Sequence, residues 1–197
     1  MWRHMKYKIN EIFSSIQGEG RRAGMPAVFV RFSGCNLSCP FCDTDHQKYD
    51  EHSGEAILQH VALFRPRNVI FTGGEPALQL DNELLRLFAG YNRGIETNGT
   101  IDLKPIKDNL EWVTVSPKLT KDGHLNIEQI NQRCGDEIKI LKSDLAPLPR
   151  PEGNFKYYYV QFEYQLFTDR QDECLKLIQE NPQWNLSVQM HKMLGIR

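Results

Sequence analysis

Apolar positions along the chain fall into short runs with two different periods. Ala27-Val28-Phe29-Val30-Arg31-Phe32 is β-branched and aromatic and predicts a strand. Ile57, Leu58, Val61 and Phe64 recur at helical spacing and predict a helix. Asn68-Val69-Ile70-Phe71-Thr72 predicts a second strand running into Gly73-Gly74, and Asp81 is placed to cap a helix carrying Leu84, Leu85, Leu87 and Phe88. Further strands are expected at 94–97, 112–116, 137–141, 157–162 and 185–189. Before the last of these, Thr168 and Gln171 form a candidate capping box for a helix that buries Cys174, Leu175 and Ile178 and stops at Pro182. Residues 143–154, with Pro147, Pro149 and Pro151, read as a loop and not as a linker. Residues 1–4 precede the first strand-like positions and have no evident packing role.

Strands alternating with helices imply βαβ units, hence an α/β fold with a mostly parallel sheet, either doubly wound or an incomplete (βα) barrel. Length fits one domain or two very small ones, and a single domain over residues 1–197 is expected. Glycines and special polar residues follow the strands: Cys35, Gly73-Gly74-Glu75-Pro76, Asn98-Gly99 and Pro117-Lys118. Ligands bind at the carboxyl ends of parallel strands, so these four loops are expected to converge on one site.

Charge narrows the partners. Lys plus Arg number 24 and Asp plus Glu 25, a formal net charge of −1, which argues against a protein that grips nucleic-acid phosphates. No apolar run approaches the ~20 residues of a spanning helix, and the amino terminus lacks an export-signal pattern. Five cysteines are an odd count, and three of them crowd into residues 35–42. A disulfide scaffold would spread them, so a reducing, cytoplasmic setting is expected.

Cys35, Cys39 and Cys42 are separated by three and two residues, and Pro40 opposes helix between them. Thiolates at this spacing can surround one metal centre. His46, four residues on, could complete a Cys3His zinc set, the basis of a zinc-binding interaction module. The other reading is a four-iron cluster held by three cysteines, which leaves one iron open to a ligand. Structural burial is the blandest alternative. Cys134 and Cys174 read as ordinary small buried residues.

The cysteine spacing, followed by Thr72-Gly73-Gly74-Glu75-Pro76 after a strand, resembles the radical S-adenosylmethionine superfamily. That resemblance implies a [4Fe-4S] cluster on Cys35, Cys39 and Cys42, with S-adenosylmethionine on the open iron. The Gly-Gly-Glu loop would bind the methionine amine, its glycines letting carbonyls approach and its carboxylate suiting a cation. Glu11-Ile12-Phe13-Ser14-Ser15-Ile16-Gln17-Gly18-Glu19-Gly20, Cys42-Asp43-Thr44, Glu96-Thr97-Asn98-Gly99, Val115-Ser116-Pro117-Lys118 and Gln189-Met190-His191-Lys192 are similar, in order, to the 7-carboxy-7-deazaguanine synthases. Those enzymes convert 6-carboxy-5,6,7,8-tetrahydropterin to 7-carboxy-7-deazaguanine with loss of ammonia, on the way to queuosine. The nearest rival is a small activase that places a radical on a partner protein.

Carried over by position, the resemblance implies that Phe41, Asp43, Gly74 and Ser116-Pro117-Lys118 line S-adenosylmethionine. Where the family often reads Gln-Pro, this chain reads Gln161-Phe162-Glu163-Tyr164, so only Gln161 is carried over there. Ile16, Gln17, Gly18, Arg31, Thr72 and the chain end at Arg197 fall at substrate positions, and Thr44 at a magnesium position. Arg31 offers a planar fork for a carboxylate or a pterin edge, although in mid-strand it could simply pair with an acidic neighbour. Leu194 and Ile196 are expected to anchor the tail while its carboxylate points inward. A homodimer and an electron donor such as flavodoxin are implied partners, with neither nucleic acid nor membrane.

Overall fold

The computed structural model describes residues 5–39, 42, 45, 47–118, 129–150 and 153–197. Phe41, Asp43, Thr44 and His46 lie outside them. The chain forms two compact units. The first comprises Met1–Ser15, Pro26–Thr97 and Ile101–Val113, and the second Ile16–Met25, Asn98–Thr100 and Thr114–Arg197.

In the first unit, strands β1 (Lys6–Ile16, its last residue in the second unit), β2 (Pro26–Phe32), β3 (Asp50–Ser53), β4 (Asn68–Gly73) and β5 (Asn92–Thr97) run in the order β3-β1-β2-β4-β5. β2, β4 and β5 are parallel, and β1 pairs antiparallel with β3. Helices α1 (Gly54–Val61) and α2 (Asn82–Leu87) complete the unit. Ser53 and Asp81 cap them, accepting from Ala56 N–H and Leu84 N–H. β2 is buried on both faces, as parallel strands are. Its Val28, Val30 and Phe32, with Val69 and Phe71 of β4, are fully buried together with Leu84, Leu85 and Phe88. Phe71 meets Phe88 edge to face, with centroids 5.4 Å apart.

In the second unit, β6 (Trp112–Val115, begun in the first unit), β7 (Cys134–Lys142), β8 (Asn154–Phe162) and β9 (Asn185–Ser187) follow one another in order, all parallel. Ile138, Ile140, Val160 and Phe162 supply apolar contacts, and Trp184 Nε1–H donates to Pro149 O at 3.1 Å. Helices α3 (Tyr164–Asp169), α4 (Gln171–Gln179) and α5 (Met190–Leu194) complete it. Apart from β1 with β3, the pairings described above are parallel.

Two expectations fail locally. Thr168 does not cap the helix before the last strand, because α3 already extends through it and its hydroxyl donates back to Gln165 O at 3.0 Å. The chain breaks at Arg170, and α4 starts there without a side-chain cap. The tail is not anchored by Leu194 and Ile196, which are 57% and 39% exposed. Backbone bonds hold it instead: Met190 N–H to Gly18 O, and Ile196 N–H to His191 O beyond the left-handed Gly195.

Candidate active site

The first unit places the cysteine loop on a fixed stem. Ser33, just after β2, donates through its hydroxyl to Lys48 O at 2.6 Å, and Asn10 donates to Asp45 O and Lys48 O. Both ends of the loop are therefore tied down. Within it, Cys35 and Cys39 are half-buried and Cys42 is exposed. Cys42 N–H turns back onto Cys39 O, and Leu37 N–H donates to Cys35 Sγ at 3.4 Å. Cys35, Cys39 and Cys42 thus share one anchored loop, although among the described residues no three His, Cys, Asp or Glu side chains are gathered closely enough to hold a metal ion. Cys174 cannot be a fourth ligand: it is fully buried in α4, and burial pushes its thiol pKa up.

The Gly-Gly-Glu loop packs directly on that stem. Gly74 N–H donates to Phe32 O at 3.1 Å and Glu75 N–H to Gly34 O at 2.9 Å. A Cβ on Gly74 would lie 2.0 Å from Gly34 O and 3.2 Å from the Cys35 Cβ, and Gly73 has φ +120° with no room for one either. The two glycines thus let one strand-end backbone lie against the other. Glu75, read from the sequence as suited to a cation, is wholly buried and is part of the scaffold. It accepts from Thr97 Oγ1 at 2.7 Å and from Ala77 N–H at 3.0 Å.

Register sets a second feature of this unit. Arg31 of β2 pairs with Thr72 of β4, and Thr72 Oγ1 donates to Glu96 of β5 at 3.0 Å. Arg31 Nε–H donates to Glu11 at 2.8 Å, so the guanidinium does take the acidic neighbour that mid-strand placement allowed. These side chains make a polar row at the carboxyl ends of β2, β4 and β5, on the face opposite Phe71. Glu11 and Glu96 head two of the segments similar to the synthases, but neither was assigned a role from the sequence.

The second unit holds the remaining positions. Ser116-Pro117-Lys118 follow β6 directly, with Pro117 buried. Gly99 packs on β6, where a Cβ would meet Val115 at 2.7 Å, and its carbonyl accepts from Asn131 and Gln132 N–H. Gln17-Gly18-Glu19-Gly20 is a docked loop. Gln17 N–H donates to Met25 O at 2.8 Å, and the Gln17 carboxamide oxygen accepts from Glu19 N–H. A Cβ on Gly18 would lie 2.3 Å from His191 Nδ1. Gln161 is buried, donating to Glu19 at 2.9 Å and accepting from Ser187 Oγ at 2.9 Å. Arg197 ends the chain on the surface.

Comparison with known proteins sets this arrangement in a class. The family model of the radical SAM superfamily matches residues 29–190. A Bacteroides thetaiotaomicron 7-carboxy-7-deazaguanine synthase is 39% identical, covering 98% of this chain and all of the relative. The Nitratidesulfovibrio vulgaris synthase is 36% identical with the same coverage. The crystal structure of QueE from Escherichia coli superposes with a TM-score of 0.71 at 29% identity, over 95% of this chain and 96% of the other. The fold is thus the incomplete barrel of radical SAM enzymes, whose cofactors are a [4Fe-4S] cluster and S-adenosylmethionine. Within that superfamily the chain belongs to the 7-carboxy-7-deazaguanine synthases. A zinc-binding module is thereby set aside, and relatives named as synthases favour a small-molecule enzyme over an activase. No helix among the described residues is long and apolar enough to cross a membrane.

Proposed function

We propose that the chain converts 6-carboxy-5,6,7,8-tetrahydropterin to 7-carboxy-7-deazaguanine with release of ammonia. The observation that carries this reading is the full-length identity to synthases, with both signature loops locked by close backbone packing. Residues 1–197 act in this reading as a single radical SAM domain. Cys35, Cys39 and Cys42 hold the cluster. Gly74 and Ser116-Pro117-Lys118, with Phe41, Asp43 and Gln161, bind S-adenosylmethionine. When bound, the cluster and cofactor supply a carbon-centred radical that takes hydrogen from the pterin.

The chain's own groups orient and exclude. Arg31 presents its planar fork to the substrate carboxylate, its orientation preset by Glu11 through Nε. Thr72, held by Glu96, lies beside it. Ile16, Gln17, Gly18 and Arg197 contact the ring, and Gln17 is oriented by Glu19 N–H to read a donor–acceptor edge. Thr44 contributes a hydroxyl to magnesium shared with the substrate. The protein works as a homodimer in the cytoplasm and receives electrons from a flavodoxin-type donor. Met193 and Leu194, each more than half exposed, offer apolar surface for a second copy.

Anaerobically purified protein given the carboxytetrahydropterin, reductant, S-adenosylmethionine and magnesium is expected to form the deazapurine, with roughly four irons per chain. Colourless protein with stoichiometric zinc would sink the reading. Thr44→Ala should blunt the response of turnover to magnesium and leave reductive cleavage of S-adenosylmethionine intact. An unchanged magnesium titration would remove Thr44 from the site.

A further inference from the structure

The polar face of the second unit carries an ion pair for which the proposed chemistry has no use. β7 alternates Ile138 and Ile140 with Glu137 and Lys139, and all four are buried. The register aligns Lys139 with Tyr159, and Leu141 with Gln161 and Ser187. Onto this face folds the 17–21 loop. Glu19 turns inward and is bound by Lys139 Nζ through one carboxylate oxygen. Its other oxygen accepts from Gln161 Nε2 at 2.9 Å and Gln189 Nε2 at 3.5 Å. The Lys139 side chain is 8% exposed and that of Glu19 18%.

The backbone beside Glu19 is pinned by the same face. Gly20 N–H donates to Ser187 Oγ at 2.9 Å, and Arg21 N–H to Glu137 at 2.8 Å. Glu137 also accepts from Thr114 Oγ1 at 3.0 Å. Gln189 closes the circuit to the chain end. Its oxygen accepts from Tyr164 N–H at 3.0 Å, and the next residue, Met190, donates its N–H to Gly18 O. The two segments proposed to touch the substrate ring, the 16–18 loop and the tail after α5, therefore share one buried carboxylate as their joint. Among the described residues, that carboxylate is ion-paired with one cation, Lys139.

We propose that Lys139 is a positioning residue: through Glu19 it fixes the 17–20 loop and α5 together, and so sets both substrate-contacting segments at once. The placement of those segments at substrate rests on the function proposed above, whereas the clamp does not. Removing one partner of a buried ion pair strands the other, so the loop must rearrange to find water. Burial alone would push the Glu19 carboxyl up. The Lys139 ammonium overrides it, with help from His191 and Gln161, and holds it down at about 2. The Glu19 carboxylate is therefore ionised at any pH at which the enzyme would work.

The test uses anaerobic holoprotein carrying Lys139→Gln, with Lys139→Arg as the conservative control. Hydrogen exchange at the Gly20 and Met190 amides should accelerate in Lys139→Gln and stay slow in Lys139→Arg, with the β4 amides unchanged in both. KM for the carboxytetrahydropterin should rise about ten- to a hundredfold in Lys139→Gln. Iron content, S-adenosylmethionine cleavage and kcat at saturation should hold within about threefold. Lys139→Arg should recover most of the KM. Unchanged exchange at Gly20 and Met190 would overturn the clamp. Faster exchange with an unaltered KM, or a parallel loss of kcat and iron, would overturn the positioning role. A wild-type protein that does not turn over the pterin would remove the proposed function, and the exchange measurement would still decide the clamp.

Discussion

Gly74→Ala is expected to abolish turnover and to lower stability by about 2–4 kcal/mol. The added methyl group has nowhere to go. It would sit 2.0 Å from Gly34 O, a backbone atom that cannot rotate aside, and 3.2 Å from the Cys35 Cβ. Relief requires the β4 end to separate from the chain leading into the cysteine loop. That separation breaks the bonds from Gly74 N–H to Phe32 O and from Glu75 N–H to Gly34 O. Cys35 is rooted at the contact, so the damage reaches the cluster ligands as well as the proposed cofactor loop. Iron content and S-adenosylmethionine binding should fall together with the urea midpoint. Gly90→Ala is the control: nothing lies within 4 Å of a Cβ there, and the change should be neutral or slightly stabilising. Equal behaviour of the two variants would show that the Gly74 contact is not what holds the loops together.

That contact also marks the reach of the sequence. The buried parallel strands were legible because they are short apolar runs ended by glycine or polar turns. β2, β4 and β7 fall where the pattern puts them, within a few residues. β3 was not legible, since Asp50-Glu51-His52-Ser53 has no strand pattern and exists by pairing with β1. The capping signal at Thr168 misled because a helix already covered it, and local chemistry cannot reveal a preceding turn. At the site, cysteine spacing and the Gly-Gly-Glu loop stood out because close backbone approach demands particular residue types. The Glu19–Lys139 pair was hidden, since its members are 120 residues apart and only register brings them face to face. A clue was present. Strands buried on both faces should be nearly all apolar, yet β7 places Glu137 and Lys139 between its isoleucines. Charge at alternate positions of a buried strand implies a polar interior face with partners to match.

The same pair should dominate the acid stability of the cluster-free protein. The Glu19 carboxyl, driven up by burial and driven down further by Lys139, titrates at about 2 in the fold against an ordinary 4.5. Its folded value is the lower one, so its contribution is complete above pH 4.5. It is lost as the pH falls through 2, where both states are protonated. Held that far below its ordinary value, the carboxylate contributes on the order of 3 kcal/mol. Glu111 and Asp144 are also held low by Arg93 and Lys142, but both side chains are exposed, and solvent screens what they add. Glu19→Gln removes the linked proton and leaves the Lys139 ammonium without its counter-charge. The variant should therefore be less stable than the wild type by roughly 3 kcal/mol at pH 6. The gap should close steadily between pH 4.5 and 2 as the wild type loses its advantage. Urea unfolding at intervals across that range would show it, and a gap that stays constant down to pH 2 would mean that Glu19 is not ionised in the fold.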